Sequence, residues 1–102
     1  MNDNIRQLLS ECEGFDWNKH NTDKNRIKHG VNFIECEEAF FNEPLITFND
    51  IKHSDEELRF YSLGHTNMGR LLFIVFTLRN NKIRVISARD MCKKEREAYE
   101  KY

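Results

Sequence analysis

Gly69-Arg-Leu-Leu-Phe-Ile-Val-Phe-Thr-Leu78, then Arg79-Asn80-Asn81, then Lys82-Ile-Arg-Val-Ile-Ser-Ala-Arg89: the fold hangs on this stretch. Arg70 to Leu78 is apolar on both faces, as a central strand is. Arg79-Asn80-Asn81 is a tight turn. Lys82 to Arg89 reads as the next strand, with Ile83, Val85 and Ser87 on one face and Arg84, Ile86 and Ala88 on the other. A tight turn makes the two strands antiparallel neighbours.

The pattern extends both ways. Downstream, Lys93 to Tyr102 is a charged final helix. Upstream, Thr66-Asn67-Met68-Gly69 is another turn, and Leu58 to His65 alternates as a strand does. Asn49 to Glu57 is a polar loop, and Leu45 to Phe48 is a short strand. Asn32-Phe-Ile-Glu35 is a capping box that opens a helix, which Asn42-Glu43-Pro44 stops. Residues 18–29 form a polar surface helix with Asp16 or Asn18 as cap and Gly30 just past its end. Ile5, Leu8, Leu9 and Cys12 have helical spacing over residues 1–13, and Gly14 can end that helix. The expectation is one α+β domain over residues 1–102: an antiparallel meander of three to four strands packed with N-terminal helices and a C-terminal helix.

Hydrophobic residues are 39% of the chain, charged residues 32%, and eight are Phe, which is too apolar for a disordered chain. The longest apolar run, Leu71 to Phe76, is far short of the ~20 residues that span a bilayer. No basic n-region with an apolar stretch opens the chain. Cys12, Cys36 and Cys92 are odd in number and far apart, which speaks against a disulfide framework and a zinc site. A cytoplasmic protein with no membrane partner is expected.

The net charge of −1 hides an asymmetry: residues 79–102 hold eight basic and four acidic side chains. In a meander, the start of strand 70–78 and the end of strand 82–89 lie at the same end of the sheet. Arg70 and Arg89 are therefore expected to converge there, beside the start of the last helix, as an anion site. The alternative is that both arginines pair with carboxylates such as Glu95 or Asp90. His20, His29, His53 and His65 have no metal-ligand spacing, and no nucleophile-elbow or P-loop motif occurs. No cofactor or metal is expected.

Several segments together resemble the BrnT toxins. They are Phe15-Asp-Trp17, Asn25-Arg-Ile-Lys-His-Gly-Val-Asn-Phe33, Glu38-Ala-Phe40, Glu43-Pro-Leu45, Gly69 to Thr77, Arg84-Val-Ile-Ser-Ala-Arg89, Lys94-Glu-Arg96 and Tyr99-Glu100. The resemblance runs over residues 15–102, leaving 1–14 as an extension. The Ser or Thr that usually caps the last helix is Cys92 here. The resemblance implies a RelE-like ribonuclease fold and a toxin that cleaves RNA and inhibits translation. It implies neutralisation by a BrnA-like ribbon-helix-helix antitoxin, with operator DNA bound only through that complex.

By matching position, Arg70, Arg89, His29, Lys28 and Glu95 become candidates for catalysis, and Trp17, Lys19, Lys94 and Arg96 for RNA binding. Metal-free cleavage uses the substrate 2′-hydroxyl as nucleophile. The arginines would hold phosphate oxygens, His29 or Lys28 would move protons, and Glu95 would act as base or orient Arg89. Trp17 is either a base-stacking residue or core. The rival reading is a catalytically inactive binding module that works only within a DNA-binding antitoxin complex.

Overall fold

The computed structural model describes residues 3–53 and 57–102. Three helices come first: α1 (Asp3–Ser10), α2 (Lys19–His29) and α3 (Phe33–Phe41). Four strands succeed them, β1 (Ile46–Asn49), β2 (Arg59–His65), β3 (Leu71–Arg79) and β4 (Lys82–Asp90), and α4 (Lys93–Tyr99) ends the fold. The strands form one antiparallel sheet in the order β1-β2-β3-β4, the expected meander. A single 3-10 turn, Ile51–His53, opens the expected 49–57 loop, and residues 54–56 of that loop lie outside the described residues.

The local signals act as their chemistry requires. The Asn32 side chain accepts from the Glu35 N–H at 3.0 Å, and the Glu35 carboxylate accepts from the Asn32 N–H at 3.3 Å, closing the capping box of α3. Asn80 and Asn81 both take positive φ, at 53° and 60°, which gives the β3–β4 hairpin the twist of its strands. Gly64 in β2 lets α3 approach: a Cβ there would stand 3.2 Å from Leu45 Cδ1 and 3.3 Å from the Ala39 carbonyl oxygen.

The sheet has two unlike faces. The helix-covered face buries Phe60, Leu72, Ile74, Phe76, Ile83, Val85 and Ala88 with Val31, Cys36 and Ala39. Each large side chain buried there contributes roughly 1.5–3 kcal/mol relative to exposure. Ile5 of α1 is 4% exposed in the same core, so the N-terminal extension is part of the fold. The opposite face carries a smaller cluster, Ile46, Leu63, Met91 and Tyr99, with Phe48, Leu71 and Phe73 packed on it. Tyr99 pins α4 to this face. Its hydroxyl donates to the Pro44 carbonyl at 2.6 Å and meets His65 Nδ1 at 2.8 Å. A carbonyl only accepts, so the single hydroxyl proton goes to Pro44 and His65 Nδ1–H is the donor to Tyr99.

One departure from simple alternation sets the facing of the end of β4. Phe76 pairs with Val85, but Val75 pairs with Ser87, so Ile86 is an extra residue in β4. Without this bulge the ladder would continue as Val75 with Ile86 and Leu72 with Arg89. Arg89 would then face the helices. With the bulge, Ala88 is buried in the helix-side core and Ser87 and Arg89 project from the other face. The expected grouping of Ser87 with Val85, and of Ala88 with Arg84, is corrected by this one residue.

Candidate functional site

Arg89 stands opposite Phe73, and its guanidinium lies 4.2 Å above the centre of that ring. It grips Glu95 with both ends of its fork, at 2.8 and 3.0 Å, and also donates to the Asp90 carbonyl at 3.0 Å. Glu95 is the third residue of α4, and its carboxylate also accepts from the Cys92 N–H at 2.8 Å. One carboxylate therefore serves as helix cap and arginine partner. Burial pushes the Glu95 carboxyl up, but the bonds from Arg89 and Cys92 outweigh it and hold the group below its ordinary range. The bond to Glu95 raises the Arg89 guanidinium further above its already high range. The helix start expected to receive an outside anion is thus occupied by an anion of the chain's own.

Arg70 reaches the same end of the sheet on the other side. Its Nε–H donates to Asp90 Oδ1 at 2.7 Å and its Nη2 to Asp90 Oδ2 at 3.2 Å. Nη1 meets both Glu35 oxygens at 3.1 Å and the Gly30 carbonyl at 2.9 Å, and Nη2 also meets the His29 carbonyl at 3.3 Å. Six acceptor oxygens thus surround the five N–H groups of the guanidinium, and the two Glu35 oxygens share one of them. Arg70 is a clamp between the end of α2, the cap of α3 and the end of β4. The Arg70 bond, more than its charge or that of nearby His29, holds the Asp90 carboxyl below its usual range.

The two arginines share the strand end as expected but not a face. Arg70 bonds to Glu35 of helix-side α3, whereas Arg89 stacks on Phe73 of the opposite face. Asp90 links them: its carboxylate holds Arg70 and its carbonyl accepts from Arg89. His29 and exposed Lys28 end α2 beside this link. Arg96 is anchored nearby by a 2.8 Å bond to the Met91 carbonyl, and Lys94 is exposed on α4.

Neither Trp17 nor Lys19 is among the hydrogen-bond partners of the two arginines described above. The parallel Phe15–Ile83 bridge anchors the segment that leads into Trp17 at the start of β4. The Trp17 ring packs 5.9 Å from Phe15 and 5.8 Å from Phe33, and its indole N–H donates to Glu37 at 2.8 Å. Glu35 and Phe73 belong to the cluster although sequence reasoning assigns them no role in a site, and Asp90 holds Arg70 as the carboxylate-pairing alternative expects. The signal for Phe73 is its register with Arg89, which is legible only once the bulge is known. Among the described residues, no three His, Cys, Asp or Glu side chains gather as a metal-ligand set would, and no helix is long and apolar enough to cross a membrane.

The depressed carboxylates carry a pH consequence. Asp90 and Glu95 contribute stability that is fully present above the ordinary carboxylate range and lost as pH falls through their lower folded values. Thermal melts are expected to hold from pH 7 to about 5 and to fall below about pH 4. Glu95→Gln should flatten part of that fall, and the effect will be modest because water screens half-exposed pairs. Circular dichroism melts across this range check it.

Comparison with known proteins agrees with the fold. The sequence profile described as "Ribonuclease toxin, BrnT, of type II toxin-antitoxin system" matches residues 17–95. The crystal structure of the Brucella abortus ribonuclease toxin BrnT superposes with a TM-score of 0.59 at 19% identity, covering 78% of this chain and 97% of that one. No curated protein matches the chain. The α1 extension lies outside the matched residues, whereas β4, the bulge and the Arg89–Glu95 pair lie within them. The chain belongs to the BrnT family of ribonuclease toxins of type II toxin-antitoxin systems.

Proposed function

We propose that this protein is the toxin of such a system: a metal-independent endoribonuclease of the cytoplasm that cuts RNA and so inhibits translation. Its partners are RNA and a BrnA-like ribbon-helix-helix antitoxin, with operator DNA reached only through the antitoxin complex. The observation that carries the reading is the Arg89–Glu95 pair, aimed by the bulge onto the face of the sheet that the N-terminal helices leave uncovered.

The reaction needs three events. A base removes the 2′-hydroxyl proton, the 2′ oxygen attacks the adjacent phosphorus, and the 5′ oxygen leaves with a proton. The products are a 2′,3′-cyclic phosphate and a 5′-hydroxyl. Arg89 meets the charge that builds on the phosphoryl oxygens, and its fork suits two of them. Glu95 holds that fork in place, and it either accepts the proton or only orients Arg89. His29 and Lys28, at the end of α2, are the candidates for the second proton transfer, with imidazole the better suited type. Lys94 and Arg96 extend the positive charge along α4. Arg70 acts through the others, as the clamp that fixes the ends of α2 and β4.

Incubating the isolated chain with single-stranded RNA in EDTA tests the reading. Cleavage is expected to persist and to leave cyclic-phosphate ends. Loss of cleavage in EDTA would sink the metal-independent route.

One observation favours the rival, a non-catalytic module acting only inside a DNA-binding complex: both arginines already meet carboxylates. Expression in a growing cell separates the two. The toxin arrests growth and its antitoxin relieves the arrest, whereas a binding module does neither.

A further inference from the structure

The sheet register exposes a feature that neither Arg89 nor the family match accounts for. The face carrying Arg89 also presents Arg59 of β2, Arg79 of β3, and Lys82 and Arg84 of β4. Among the described residues, the four strands place no acidic side chain on this face; their acidic residue, Asp90, belongs to the helix side with Leu72. At the hairpin end Arg79 pairs with Glu57, a carboxylate that the charge of nearby Arg84 also helps to hold low. Arg59 and Arg84 are set apart by their register. Both pair with Thr77 across the ladder, so they form one row over three strands, roughly 10 Å apart at the Cα atoms. Thr77 is buried between them at 4% exposure. Two guanidinium groups flanking one small side chain can reach a single anion together.

A second feature fills the gap between this row and Arg89. Phe48, Tyr61 and Phe73 stack across β1, β2 and β3 with ring centres 5.1 and 5.3 Å apart, and the Arg89 guanidinium closes the ladder. All three rings are half-buried. Tyr61 shares its row with Val75 and Ser87, so two hydroxyls stand on the floor between the cationic rows. From Arg59 to Leu63, in the Arg89 row, is four residues, roughly 13 Å of strand. An extended single strand crosses that with a few nucleotides.

We infer that Arg59 and Arg84 form a second phosphate subsite, which grips single-stranded RNA a few nucleotides from the cleaved bond and lays the intervening bases over the Tyr61–Phe73 floor. The inference rests on the nuclease reading for its substrate. Arginine pairs supply charge and the aromatic floor supplies sequence-tolerant contact, the combination that unpaired strands require. A duplex, with its bases turned inward, gains nothing from the floor.

The test uses the full chain and a labelled 2′-O-methyl RNA of about ten nucleotides, a length within single-strand site sizes. That RNA cannot be cut by the 2′-hydroxyl route, so binding is measured whether or not the protein cleaves. Arg59→Ala and Arg84→Ala are each expected to weaken Kd roughly fivefold to tenfold, and to lower the slope of log affinity against log salt by about 0.7 for each phosphate no longer neutralised. Arg84→Lys, which keeps the charge, should recover most of the slope. Arg6→Ala, on the helix side, should stay within about twofold. Unchanged affinity and slope in both variants overturns the subsite while leaving cleavage at Arg89 standing. So does a wild-type preference for duplex of the same sequence, or loss of antitoxin capture by the variants with RNA binding intact. Absence of cleavage of unmodified RNA by the wild type, with these binding effects present, instead overturns the nuclease reading.

Discussion

Arg89→Ala is expected to lower the rate of RNA cleavage by roughly 10²- to 10³-fold, the usual cost of removing one fixed donor from a developing oxyanion. The fold should survive. Arg89 lies on the surface side of Phe73, and its pair with Glu95 is half-exposed, worth about 1 kcal/mol or less. Glu95 keeps the Cys92 N–H after the substitution, so α4 retains its cap. Arg89→Lys is the sharper variant. Lysine keeps the charge but cannot span two phosphate oxygens or lie flat on the ring, so it should recover less than about tenfold of the loss. Single-turnover cleavage with saturating protein reads the chemical step, and circular dichroism confirms the fold. Undiminished cleavage by the alanine variant would remove Arg89 from the reaction.

Arg70→Ala is expected to act in the opposite manner, costing stability before chemistry. Its guanidinium joins two carboxylates and two carbonyls from three separate elements, and removal strands all of them. Hydrogen bonds to charged groups contribute about 1.5–3 kcal/mol each in favourable settings. Partial exposure of Arg70 and Asp90 reduces that, so a total near ~3 kcal/mol is expected. For a domain of this size the melting temperature then falls by roughly 15 °C. At a temperature where the variant stays folded, its cleavage rate per folded molecule should remain within about tenfold of wild type, because the N–H groups of Arg70 are engaged by partners within the chain. A variant that melts normally yet has lost cleavage would restore Arg70 to direct contact with substrate.

The contrast between the two arginines shows where a sequence is legible and where it is not. The element order was legible because each signal is local: the capping box at Asn32–Glu35, the Asn80-Asn81 turn, the apolar run of β3. Strand pairing was legible too, since tight turns leave few alternatives to a meander. The facing of Arg89 was not. It depends on whether β4 holds an extra residue between Val85 and Ser87, and Ile86 has the same apolar character as a regularly paired residue. The partners of Arg70 were hidden for another reason. Glu35 and Gly30 are 35 and 40 positions away in sequence, and only packing of α3 on the sheet brings them close. The shared cationic face of Arg59 and Arg84 likewise needs the β2–β3–β4 register, since the two lie on strands that do not touch.

The bulge also bears on inheritance, apart from chemistry. The direction of Arg89 is set by a count of residues along β4, and every residue in that count could keep its identity while the count changed. Loss of the single codon for Ile86 would leave each member of the cluster in the reading frame and still turn the arginine toward the helices. A gene under pressure to fall silent therefore has a route that spares all the residues by which the site is recognised, and a search for substitutions alone would pass over it.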